Sequence, residues 1–138
     1  PTIDGLDVQA HTRLQSYSEQ VSALTISSNN VEIDLSKSQT FTLSLSDAVT
    51  DFTLINIPTE STSFTLKITQ DSTGSRNVGI DTFKIGAGTT FPVYWPSGVV
   101  PIVTSTASKT DIYSFKIFDG SNISTVGMYG IVGGQNFS

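Results

Sequence analysis

The sequence holds no cysteine and only one histidine in its 138 residues. Without a thiol there is no disulfide, no zinc–thiolate centre and no cysteine nucleophile. The fold must rest on packing, and the length allows it: a single domain of this size buries roughly 70% of its unfolded surface. Charge is also scarce. Only 14% of residues are charged, and 12 acidic against 7 basic side chains leave a net charge of −5. Such a surface repels a phosphate backbone, so no nucleic-acid partner is expected. No apolar run approaches the roughly 20 residues that span a bilayer, so no membrane partner is expected either. The opening PTIDGLDVQ lacks the basic and apolar regions of a signal peptide. A start at Pro1 is read as removal of an initiator methionine.

Hydroxyl groups replace charge, with 20 Ser and 19 Thr. Threonine favours strands, and serine favours turns and exposed strand faces. Period-two alternation runs along the chain. VEIDL (31–35) sets Val31, Ile33 and Leu35 against Glu32 and Asp34. TFTLSL (40–45), SFTLKITQ (63–70) and DIYSFKIF (111–118) repeat the pattern, and the more apolar DFTLINI (51–57) reads as a central strand stopped by Pro58. SLSDAVT, PTEST, DSTGS, GAGTT and FDGSN break these strands at short intervals. Short loops favour antiparallel neighbours, and no βα alternation appears. The expected fold is all-β, an antiparallel β-sandwich or jelly-roll-like domain over residues 25–138. Residues 1–24 read as an N-terminal arm. Leu14, Tyr17, Val21 and Leu24 fall at helical spacing, while Tyr17, Glu19, Val21 and Ala23 alternate, so both a short helix and an edge strand stay open. Residues 1–13 have few anchors and are expected to be mobile unless a partner orders them.

Catalytic signals are weak. His11 lies in the least structured part of the chain, where a Ser-His-Asp triad would need a rigid site. Asp71, Asp81, Asp111 and Asp119 are the candidates for an acid/base pair, and most suit turn capping. DGSN (119–122) lacks the further ligands and closing Glu of a calcium loop, and DSTGS lacks the ending of a phosphate loop. NIS and NFS fit a glycosylation sequon and read as chance. No cofactor, no metal and no enzymatic activity are expected. The aromatic cluster Phe91, Tyr94 and Trp95, set between Pro92 and Pro96, reads as core packing or as a recognition site for a sugar or a protein pocket.

An ordered set of motifs runs from residue 30 to the end. Asp34-Leu35 begins one strand and Phe41 to Leu43 another. Gln70, Asp71, Thr73, Gly74 and Arg76 follow, then Trp95-Pro96, Gly98 and Pro101, a Ser/Thr run, and Asp111 before Tyr113 and Phe115. Asp119-Gly120, Tyr129-Gly130 and Gly134-Gln135 with Phe137 close the series. This succession resembles a domain recurring in structural proteins of tailed bacteriophages, among them tail fibres, tail-associated proteins and small capsid-associated proteins. Residues 77–94 and SNISTVGMYG depart from the pattern. The resemblance implies a β-sandwich without catalytic residues. A chain too short for both an attachment module and a shaft suggests a decoration or cement protein on the outer capsid surface of the virion. Its expected partners are the major capsid protein or other virion subunits and further copies of itself, as a trimer or dimer. Leu14, Tyr17, Val21 and Leu24 would anchor the arm. The alternative is a tail-fibre or head-fibre receptor-binding module that grips host polysaccharide.

Overall fold

The computed structural model describes residues 16–138. In chain order the strands are β1 (Val21–Ala23), β2 (Ile26–Ser27), β3 (Asn30–Asp34), β4 (Thr40–Ser44), β5 (Asp51–Ile55), β6 (Thr62–Thr69), β7 (Phe83–Ile85), β8 (Thr89–Phe91), β9 (Val93–Tyr94), β10 (Thr110–Ile117) and β11 (Met128–Phe137). One short helix, α1 (Ile123–Val126), sits between β10 and β11. The strands form a six-stranded sheet, β1-β4-β6-β10-β11-β9, and a five-stranded sheet, β2-β3-β5-β7-β8. The two pack together as an all-β sandwich.

The alternating segments fold as the period-two pattern requires. Val31, Ile33 and Leu35, then Phe41, Leu43 and Leu45, then Phe64, Leu66 and Ile68, all point into the core. β5 is the central strand of its sheet, with Phe52 and Leu54 fully enclosed.

The pairing differs from the antiparallel expectation. β3–β5, β5–β7, β1–β4, β4–β6 and β9–β11 all run parallel. From β3 to β7 the chain alternates between the sheets, so each short loop crosses the core instead of closing a hairpin. Strands two apart in sequence then become parallel neighbours, and the chain winds as a flattened coil. Loop length was a poor guide because crossing to the facing sheet takes as few residues as a hairpin. True hairpins occur at β2–β3, where Ser28 and Asn29 take positive φ, and at β7–β8, across Gly86 and Gly88.

Val21–Ala23 pairs with Thr40–Thr42 as the edge of the six-stranded sheet. The sandwich therefore takes in residues assigned above to the arm, and of the two conformations left open this segment is a strand. Leu14 and His11, like residues 1–13, lie outside the described residues.

An aromatic spine ties the sheets together. Phe52 stacks on Phe83 at 4.9 Å, Phe83 meets Phe115 at 5.1 Å, Phe115 stacks on Phe64 at 4.9 Å, and Phe64 meets Phe41 edge-on at 6.1 Å. Such pairs add about 0.5–1.5 kcal/mol each beyond the area they bury.

Candidate interaction surface

The aromatic cluster divides. Phe91 and Trp95 are buried, while Tyr94, between them in sequence, faces solvent. Trp95 packs edge-on against Phe115 at 5.7 Å and Tyr113 at 6.2 Å. Its position depends on Gly130 in β11: a Cβ there would lie 2.5–2.8 Å from three Trp95 ring carbons. Gly130→Ala should therefore destabilise the domain by about 1–3 kcal/mol through overpacking. Combined with Trp95→Phe, which withdraws those atoms, it should cost less than the sum of the single changes in denaturant unfolding.

After Trp95 the chain makes a 3-10 turn (Pro96–Gly98) and then a long excursion back to β10. Two buried polar side chains pin that excursion at Thr104. Gln70 donates from Nε2 to the carbonyls of Thr104 and Arg76, both at 2.9 Å, and its Oε1 accepts from the Arg76 N–H at 3.1 Å. Asp111, 1% exposed, accepts from the Thr104 N–H at 2.7 Å, the Asn136 N–H at 2.9 Å, the Tyr113 hydroxyl at 2.8 Å and Gln135 Nε2 at 3.1 Å. Gln135 also donates to the Ile102 carbonyl at 2.7 Å. Val103 plugs into the core beneath, and Val99, Val100 and Ile102 are left outside. Burial pushes the Asp111 carboxyl up, but the hydrogen bonds led by Thr104 and Asn136 outweigh it and hold the group below the usual range. Burial, followed by the Asp111 hydrogen bond, raises the Tyr113 phenol.

The other candidate aspartates serve turns. Asp71 caps the N–H groups of Thr73 and Gly74 and forms a two-pronged ion pair with Arg76, its closest N–O distance 2.8 Å. Asp119 accepts from Ser121 and Asn122, and Asp81 from Thr82. Glu32 and Asp34 share a polar groove with Asn30 and Lys37. They stand two residues apart on one strand, so they project from the same side and cannot flank a scissile bond from opposite sides. Ser36, then Asn56, holds Asp34 low, the wrong direction for a general acid.

A different feature stands out at the β9–β11 edge. Residues 85–108 and 120–138 contain no Asp, Glu, Lys or Arg. The fold lays the two stretches side by side through the β9–β11 pairing, the Trp95–Gly130 contact and the Gln135–Ile102 bond. Of the twelve large apolar side chains exposed among the described residues, nine belong to these stretches: Tyr94, Val99, Val100, Ile102, Val126, Tyr129, Ile131, Val132 and Phe137. Tyr129 meets Tyr94 at 5.4 Å and Phe118 edge-on at 5.6 Å, and Lys116 Nζ lies 5.6 Å from the Phe118 ring centre. Lys116, Phe118, Asp119, Val126, Tyr129 and Ile131 line a shallow groove of about 660 Å³.

The arm anchors fare differently. Tyr17 and Val21 are 75% and 57% exposed at the opposite edge of the sheet. Leu24 packs against the core, with its N–H bonded to the Thr42 carbonyl, and so is a sandwich residue more than a free anchor.

No family model, curated protein or solved structure matches the chain.

Proposed function

We propose that the chain is a structural subunit of a tailed-bacteriophage virion, a small decoration or cement protein that docks on the outer capsid surface. One observation carries this reading: an apolar edge, built from two stretches without charged residues and held in shape by buried polar clamps. Exposed apolar side chains gathered in this way mark a protein–protein contact. The resembling motifs also support it, since Gln70, Arg76, Asp111 and Gln135 converge on one end of the sandwich around the Thr104 loop. Binding only the assembled shell stabilises that shell by linkage, and many modest contacts sum over a closed lattice. The N-terminal segment, with Tyr17 and Val21 exposed, supplies a second contact.

The test is reconstitution. Purified protein added to particles lacking it should restore their resistance to heat-induced DNA release. Deleting residues 1–18, which leaves β1 in place, should preserve the melting temperature and reduce occupancy on particles. Absence of the protein from purified virions would refute the reading.

The exposed Tyr94, Tyr129 and Phe118 favour a second reading, a receptor-binding module whose rings stack on host polysaccharide. In that case Tyr129→Ala would abolish retention on host cell-surface glycan and leave capsid binding intact.

A further inference from the structure

We infer that the groove beside Tyr129 takes a segment of the partner protein that sets one carboxylate on Lys116 and a neighbouring apolar side chain against the rings. This rests on reading the apolar edge as a docking surface and names the chemistry of what docks there. The strand pleat builds the groove. Phe115 and Ile117 point into the core, so Lys116 between them projects from the outer face of the six-stranded sheet. The register then lines up Lys116, Tyr129 and Tyr94 across β10, β11 and β9. Phe118 stands at 90° to Tyr129, so the two rings form a corner rather than a flat platform. A corner of that shape seats one apolar side chain. Val126 and Ile131 complete the lining and offer a sugar's hydroxyls nothing to bond.

Charge complementarity sets the rest. Lys116 forms no ion pair with any described residue; the two ion pairs there are Arg76–Asp71 and Lys84–Asp51. Its Nζ lies 5.6 Å from the Phe118 ring centre, which holds the ammonium over the groove. A purely apolar partner covering it would strand that charge, and a carboxylate from the partner resolves this. Asp119, the other charge in the lining, is engaged in its own turn by the Ser121 hydroxyl at 2.7 Å and the Asn122 amide at 2.9 Å. With Asp119 in the wall and a net charge of −5 over the chain, a run of acidic residues is repelled. The match is a single carboxylate beside a large apolar side chain.

Phenylpropionate carries that pair of groups in one small molecule. In an NMR titration of the full chain it should shift the amides of Lys116, Phe118, Tyr129 and Ile131. It should bind about three- to fivefold more tightly than phenylpropylamine, the effect of one partly exposed ion pair. Lys116→Met keeps the aliphatic stem, so it should keep the melting temperature and bind the two compounds alike. On particles lacking the protein, Lys116→Glu should lose occupancy, and Lys67→Glu, at an exposed lysine on β6, should not.

Equal binding of the two compounds by the wild type, or shifts confined to other surfaces, overturns the inference. So does full occupancy of particles by Lys116→Glu, which leaves the virion reading intact. Host polysaccharide held in the groove with no loss in Lys116→Met overturns it in favour of the sugar reading. A carboxylate preference erased by Lys116→Met, in a chain that never associates with particles, upholds the groove's chemistry and removes the virion reading.

Discussion

Replacing Trp95 by alanine should lower stability by about 3–5 kcal/mol, the range for truncating a large buried aromatic. At this chain length that is a fall in melting temperature of roughly 10–15 °C. Trp95 is 6% exposed, touches Tyr113 and Phe115, and flanks the middle of the spine that bridges the sheets. Its removal leaves a cavity that Gly130, directly against the ring, has no side chain to fill. Trp95→Phe should cost far less. The indole Nε1 is buried with no hydrogen-bond partner, and deleting an unsatisfied donor recovers part of the lost packing. Thermal melts of the three proteins decide the matter. If Trp95→Ala melts like the wild type, the tryptophan is not a core residue.

Asp111→Ala should be of comparable size, about 3–5 kcal/mol. It strands the N–H groups of Thr104 and Asn136 and the Tyr113 hydroxyl, each costing about 1–3 kcal/mol when left unsatisfied, with some relief from water at the partly exposed Gln135 end. The variant should also loosen the 99–104 loop, seen as faster amide exchange at Thr104, and so weaken the apolar edge without touching it.

The same carboxylate makes stability depend on pH. Its folded-state pKa lies below the ordinary aspartate value, so the unfolded chain binds protons more readily. The stabilisation is complete above that value and is lost as pH falls through the lower, folded-state pKa. Asp34, Asp51, Asp71 and Asp119 are lowered as well and act with the same sign. The melting temperature should hold between about pH 7 and 5 and drop below about pH 4. Asp111→Asn should begin lower at neutral pH and fall less steeply in acid. A slope equal to the wild type's would place the acid sensitivity in the other aspartates.

Some of the site could be read early. The alternation in VEIDL, TFTLSL and SFTLKITQ located the core side chains because strand geometry sends every second residue inward wherever the chain pairs. The uncharged runs at 85–108 and 120–138 are visible in the letters too, while the aromatic signal is concentrated at 91–95. Phe91, Tyr94 and Trp95 form one cluster in sequence; the strand pleat sends Tyr94 out, and packing takes the other two in. Leu24 reads as an arm anchor from helical spacing because nothing local shows that β4 offers the Thr42 carbonyl as a backbone partner.

Sequence alone determined the class: sparse charge, no thiols and period-two patterning leave an all-β packed domain, since these are local properties of each segment. Tertiary structure decided what pairs with what. Parallel neighbours, the Gln70 and Asp111 clamps on Thr104 and the meeting of two neutral stretches at one edge all join residues distant in the chain. Such contacts depend on which sheet each strand enters, and a strand's own pattern, identical for either sheet, carries no record of that choice.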